Sequence, residues 1–223
     1  MTTMVPIGNA GFVELLETFG SDLTVVNAAR VSFAKESLDF NEKDAGLIKY
    51  LAKHKHDSPF FHPQLRFRLR MPIFIAREWF RHQVGLTRNE VSQRYVDTRP
   101  ECWVPEPCQI RQRDVSVKQG SSPDPIEDAN DVHKIIKDHM DGCVAVYEHL
   151  LGKNVAPEVA RCVLPQSMFT EFIETGSLAA YARLYKLRTD PHAQKEIRDY
   201  AEQIGQLIAP HFPVAWKALT AFE

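Results

Sequence analysis

The stretch Gln64-Leu65-Arg66-Phe67-Arg68-Leu69-Arg70-Met71, followed at once by Pro72-Ile73-Phe74-Ile75-Ala76-Arg77-Glu78-Trp79-Phe80-Arg81-His82-Gln83, decides the fold class. In its first half apolar and basic residues alternate with a period of two, the spacing of a strand with one buried face. Its three arginines suit a solvated sheet face, with an anion or subunit contact as the alternative. A sheet wetted on one side is usually antiparallel. Pro72 then opens an apolar helix, since a proline is tolerated in a first turn.

Working outward, Gly11 to Thr18 reads as a short strand or a helix start. Asp22 to Val31 reads as a helix with Ser21 or Asp22 as its cap. Asn41 to His54 is a second helix, capped by Asn41, with Leu47, Ile48 and Leu51 on its apolar face. Val84 to Arg88 reads as a loop, and Val91-Ser92-Gln93-Arg94-Tyr95-Val96-Asp97-Thr98 is rich in β-formers. Pro105 to Asp124 is a long polar surface loop. Helices follow from about Pro125 to Leu151, from Pro157 to before Pro165, and from Leu178 to Leu187. Asp190 then caps a final long helix starting at Pro191, with Ile197, Tyr200, Ile204, Leu207 and Ile208 facing inward. The expected class is α+β: one domain, 1–223, with several helices packed on a small, mostly antiparallel sheet.

With 223 residues, 44% apolar and 25% charged, the chain has the make-up of a globular domain. A net charge of -2 argues against a general nucleic-acid protein. The four cysteines form no Cys-x-x-Cys pair, so neither a zinc knuckle nor a secreted disulfide framework is expected. His54, His56 and His62 fit no standard zinc spacing, and no metal is expected. No basic segment followed by an apolar run opens the chain, and no stretch approaches the ~20 apolar residues of a membrane span. The expectation is a soluble, cytoplasmic protein.

The densest polar cluster is Arg81-His82-Gln83 and, after Val84 to Val91, Ser92-Gln93-Arg94-Tyr95. Arg81, Arg88 and Arg94 offer forked donors suited to a phosphate or a planar imide edge. Glu90 could orient a ribose or a base. On residue types alone, a polar surface loop accounts for this cluster as well as a binding site does. Gly-rich phosphate loops and the G-x-S-x-G and H-E-x-x-H motifs are absent.

This cluster resembles the signature of the flavin-dependent thymidylate synthases: Arg-His-Arg, seven residues, Ser, then x-Arg-Tyr. Here Gln83 stands third and eight residues precede Ser92, while Asn89-Glu90-x-Ser92-x-Arg94-Tyr95 matches. Asn27-Ala28-Ala29-Arg30-Val31-Ser32-Phe33 resembles the family's AARVS segment. His54-x-His56-x-Ser58-Pro59-Phe60-Phe61-His62 resembles its HxHxTPFEH segment. Leu187-Arg188, with His192-Ala193-Gln194 and Glu196-Ile197, resembles LRxDxHAQxEI, and Val159-Ala160-Arg161 with Leu164-Pro165 also matches. These matches occur in family order over about Gly11 to Pro213.

The resemblance implies a homotetramer with active sites shared between chains. It implies FAD, NADPH and methylenetetrahydrofolate as cofactors and dUMP as substrate, without a cysteine nucleophile. Carried over residue by residue, Arg188 and Arg81 are the catalytic residues: Arg188 sits against the pyrimidine, and Arg81 lies between nucleotide and flavin. Glu78, Arg81, Glu90, Val91, Ser92, Gln93, Arg94, Arg161 and Arg188 hold dUMP. Ser32, Ser58, Arg81, His82, Gln83, Asn89, Glu90, Ser177, Ala179 and Arg183 meet FAD, and His56 faces the folate. The departures lie on the flavin and folate side: Gln83 for an arginine, Phe61 for a glutamate, Ser177 and Ala179 for Asn-x-Arg, and Arg183 for an asparagine. They motivate a second expectation, C5 hydroxymethylation or a dCMP substrate. A third is a non-catalytic nucleotide- or RNA-binding protein on the same scaffold.

Overall fold

The computed structural model describes residues 3–96, 98–115 and 120–221. In chain order the first half runs β1 (Thr3–Ile7), β2 (Gly11–Phe19), α1 (Asp22–Arg30), α2 (Glu42–Lys53), β3 (Gln64–Pro72), α3 (Ile73–Trp79) and β4 (Leu86–Glu90). It continues with β5 (Arg111–Arg113), β6 (Ser121–Pro125), α4 (Ala129–Gly152), α5 (Pro157–Ala160), β7 (Phe169–Ser177), α6 (Leu178–Arg188), α7 (Lys195–Ile208) and α8 (Pro213–Thr220). Five strands form one antiparallel sheet in the order β1-β2-β3-β7-β4, and β5 pairs with β6 apart from it. The class is α+β, as expected.

The alternation in β3 sets the layers. Leu65, Phe67, Leu69 and Met71 are buried in the core that also takes in Ile197, Tyr200, Ile204 and Ile208 of α7, with the Phe67 ring 5.2 Å from that of Tyr181 of α6. On the other face Arg66 meets Glu17 at 3.1 Å, and Arg68 meets Glu171 at 2.5 Å and Glu14 at 3.8 Å. Arg66 and Arg68 are exposed, with acids of the neighbouring strands beside them, while the half-buried Arg70 donates to the Ala10 carbonyl at 2.9 Å and pairs with Glu101. Gly11 to Phe19 resolves as a strand. Asn41 caps α2 as expected, its side chain accepting from the backbone N–H of Lys43 and Asp44.

Several elements differ from the expectation. Val84 to Arg88 is not simply a loop: from Leu86 it is the edge strand β4, recruited by pairing with β7. The β-rich segment after it turns at Ser92–Tyr95 instead of extending, because the sheet ends at Glu90. The 105–124 segment carries the small β5–β6 hairpin; residues 116–119 lie outside the described part. Asp190 binds the backbone N–H of His192 at 2.8 Å, so it closes a turn, and α7 starts only at Lys195. A further helix, α8, follows. Its first turn is capped from a distance: the buried Asp22 carboxylate accepts the N–H groups of Val214 and Ala215 at 2.8 and 2.9 Å. The apolar stripe of α4 is only partly covered within the chain. Val144 and Tyr147 are buried, while Ile135 and Val146 are exposed. Among the described residues no helix is long and apolar enough to cross a membrane.

Candidate active site

α3 ends at Trp79, which is fully buried, and the chain then turns through Arg81 to Gly85 into β4. Gly85 makes that reversal at φ +78°, a conformation other residues rarely adopt, with its carbonyl accepting from Ser177 N at 3.1 Å. Pairing of β4 with β7 lays this turn against the start of α6, which directly follows β7. Arg183 of α6 donates to the Val84 carbonyl at 2.5 Å. Further along α6, Arg188 reaches the same loop.

Arg188 is the centre of the first group of site residues. Its Nε donates to His82 Nε2 at 2.8 Å, and its Nη1 forms an ion pair with Glu78. The side chain is only 18% exposed. Because His82 Nε2 accepts, its proton sits on Nδ1 and the ring is neutral. Burial first, then the guanidiniums of Arg188, Arg88 and Arg183, hold His82 down at about 4. Arg188 Nη2 donates to no described residue, so one edge of a fixed, permanently charged fork is left for a ligand. Arg81 and Gln83 are exposed beside it, and Arg81 has no ion-pair or hydrogen-bond partner for its side chain among the described residues.

The second group lies at the far end of β4. Ser92 starts the turn that carries Arg94, and Ser92 Oγ accepts from Arg94 N at 3.3 Å. Arg94 meets Glu158 of α5 at 3.3 Å and lies over the Tyr95 ring at 5.6 Å from its centroid. Arg161, one turn after Glu158, is exposed. Gln93 Oε1 is buried with no partner, an acceptor open to a ligand N–H or hydroxyl. Glu90 accepts from Thr170 at 2.6 Å. Asn89, Glu90 and Val91 are exposed.

Within one chain the two groups do not meet. Between Gly85 and Val91 the extended backbone covers about 20 Å at roughly 3.4 Å per residue. Arg188 is tied to His82 and Glu78 before that strand, and Arg94 to Glu158 beyond it.

Ser32 and Ser58 stand exposed on two short turns flanking α1, Val31–Phe33 and Ser58–Phe61. The loop after Ser32 is anchored by Asp44, which is fully buried and accepts from Arg30 at 2.5 Å, Ser37 at 3.1 Å and Asn41 at 2.7 Å. Val31 and Phe33 are exposed apolar neighbours of Ser32. His56 is exposed, its ring 6.2 Å from that of Tyr50 and 6.4 Å from that of His54. Ser177 is spent inside the fold: it is 1% exposed and its hydroxyl accepts from Ala180 N at the start of α6. Ala179 is half-buried. Among the described residues no cluster of His, Cys, Asp and Glu is grouped for a metal.

One residue that the sequence reading missed lies beneath the first group. Glu174 of β7 is fully buried, accepting from Trp79 Nε1 at 3.2 Å and forming an ion pair with Arg88. Its signal is an acid on the inward parity of a strand, in register with Phe172 and Gly176.

The family described as Thymidylate synthase complementing protein matches residues 14–214. A flavin-dependent thymidylate synthase from Thermosipho melanesiensis is 37% identical over 96% of this chain and 92% of its own length. One from Thermus thermophilus is also 37% identical, over 96% of this chain and 77% of its own. The structure of the UMP/dUMP methylase PolB from Streptomyces cacaoi, bound with 5-Br dUMP, superposes with a TM-score of 0.86 at 34% identity over 96% of both chains. Fold, site and relatives define an enzyme of the methyltransferase class. The chain belongs to the flavin-dependent thymidylate synthase family.

Proposed function

We propose that this chain converts dUMP to dTMP, taking the methylene carbon of methylenetetrahydrofolate onto C5 of the pyrimidine, with FAD and NADPH as the redox cofactors. The observation that carries the reading is the Arg188 guanidinium, held by His82 and Glu78 with Nη2 left over. A fixed cation beside the pyrimidine stabilises negative charge on the ring, and that charge makes C5 nucleophilic. The dUMP phosphate is assigned to Arg94 and Arg161, where it displaces Glu158 from Arg94. Gln93, Glu90, Val91 and Ser92 surround the rest of the nucleotide.

The residues fit FAD. Exposed Arg81 suits a diphosphate, Ser32, Ser58, Gln83 and Asn89 supply polar partners, and exposed Val31 and Phe33 suit a planar ring. When bound, FAD reduced by NADPH supplies the hydride that completes the methyl group. Arg183 and Ala179 of α6 and His82 of the loop after α3 are assigned to the same cofactor, and His56 to the folate. The Ser177 side chain stays with its capping role.

The separation of the two groups along β4 supports a shared site, Arg188 from one copy and Arg94 from another. The uncovered apolar side of α4 supports packing between copies, and we assign a homotetramer. The cytoplasm, where nucleotide pools and reduced cofactors are found, is the proposed location.

Incubation under anaerobic conditions with FAD, NADPH, methylenetetrahydrofolate and dUMP, read by nucleotide mass spectrometry, tests this. The expected product is dTMP. Parallel tubes hold dCMP and UMP. UMP is the second reading, because a structural neighbour at TM-score 0.86 is a UMP/dUMP methylase. A hydroxymethyl product, or turnover of dCMP alone, would refute dTMP formation.

A further inference from the structure

We infer that Arg88 and Glu174 are positioning residues that hold His82, and through it the Arg188 guanidinium, in the geometry the reaction needs. The inference rests on the role proposed for Arg188. Arg88 and Glu174 face each other directly across the β4–β7 ladder. Glu174 is fully buried, and a carboxylate there persists only when paired and hydrogen-bonded. Trp79 Nε1 supplies one bond at 3.2 Å and Arg88 Nε the ion pair. Arg88 then turns its other end outward: Nη2 donates to the His82 carbonyl at 2.5 Å, with the guanidinium over the Phe80 ring at 5.2 Å from its centroid. His82 is thus gripped at its backbone by Arg88 and at its ring by Arg188. The eight-residue spacing before Ser92 places Arg88 on β4 opposite Glu174, so the basic residue of this loop is directed into the fold and away from the ligand face.

A purely structural pair would stabilise the loop and nothing else. This pair also sets the charge around the imidazole. Arg188 and Arg183 approach from α6, Arg88 from β4 and Glu78 from α3, with Glu174 behind Arg88 on β7 and Arg81 adjacent in the chain. Loss of the anchor would let the ring leave Arg188 and take up a proton on Nε2, ending its role as acceptor.

The test uses the full chain and two readouts. His82 is titrated by NMR, its resonance assigned with His82→Gln, and kcat and KM for dUMP are measured separately. Arg88→Gln alone strands a buried carboxylate, so the folded comparison is the double variant Arg88→Gln/Glu174→Gln, with Arg88→Lys as the charge-retaining control. In the double variant the His82 midpoint is expected to rise from about 4 toward 6.5, by about one unit or more. Its kcat should fall roughly tenfold to a hundredfold with KM little changed. Arg88→Lys should keep the low midpoint and recover part of kcat. An unchanged His82 midpoint in a folded double variant overturns the inference, as does a kcat loss that merely follows a lowered Tm and disappears on cooling. A wild-type protein inactive on dUMP would instead sink the proposed reaction, leaving the titration to decide the positioning.

Discussion

Arg188 Nε donates to His82 Nε2 at 2.8 Å, and this single hydrogen bond requires a neutral imidazole protonated on Nδ1. Protonating Nε2 would remove the acceptor and set two cations face to face.

That relationship has a definite pH dependence. The folded midpoint of His82 lies at about 4, below its ordinary 6.5, because burial and then three guanidiniums oppose its charge. Between these values the unfolded chain binds more protons than the folded one. The contribution of His82 to stability is therefore fully present above pH 6.5 and is lost as pH falls through 6.5 towards about 4. Tm measured across this window should fall with pH, and His82→Gln should flatten that part of the curve. A curve with the same slope in the variant would show that other groups carry the acid sensitivity.

Arg188→Ala should lower kcat by about a hundredfold or more, the usual effect of removing a donor aimed at developing charge. Arg188→Lys should recover little, since an ammonium cannot bind His82, Glu78 and a pyrimidine edge from one plane. Full turnover in the alanine variant would take Arg188 out of the mechanism.

Arg94 is 50% exposed and already shares its charge with Glu158. Arg94→Ala should weaken dUMP binding by about 2 kcal/mol, with kcat at saturation less affected. Glu158→Gln removes the competing carboxylate and should tighten binding. Calorimetric titration with dUMP checks both, and unchanged affinity in Arg94→Ala would contradict the phosphate assignment.

The two groups at opposite ends of β4 predict complementation. Assayed at dUMP well below the KM of the Arg94→Ala variant, where each variant alone turns over slowly, Arg188→Ala and Arg94→Ala chains should regain part of the activity when refolded together, because mixed assemblies contain sites with both arginines. Mixing without recovery would place both arginines of each site on one chain.

Asp22 ties α1 to α8 through the N–H groups of Val214 and Ala215. Asp22→Ala should cost about 2 kcal/mol and lower Tm by about 5 °C. Thermal unfolding followed by circular dichroism measures it, and an unchanged Tm would mean that α8 is held by its apolar face alone.

Legibility follows the range of the forces involved. β3 can be read because Leu65, Phe67, Leu69 and Met71 alternate with charge, and α7 because its inward residues recur at helical spacing. α2 is marked by Asn41, whose capping bonds are local. β7 escapes such a reading, although it is a central strand of the sheet. Its sequence Phe169-Thr170-Glu171-Phe172-Ile173-Glu174-Thr175-Gly176-Ser177 puts an acid at an inward position, which reads as surface until Arg88 is known to face it. β4 looks like a loop because an edge strand is made by its partner more than by its own propensity. The end of α6 and the start of α7 are blurred by Asp190, whose turn resembles a helix cap.

By itself the sequence determined the family, through the residues around Arg81, Ser92, Arg161 and Arg188, and the α+β class, through short-period patterns that depend only on neighbours in the chain. Only the tertiary structure decided which of those residues stand together. Arg188 meets His82 and Glu78 across more than a hundred residues, and Arg88 meets Glu174 across 86. Arg94, past the end of β4, pairs with Glu158 instead. Such contacts arise from strand pairing and helix packing between distant segments, and no local spacing encodes them.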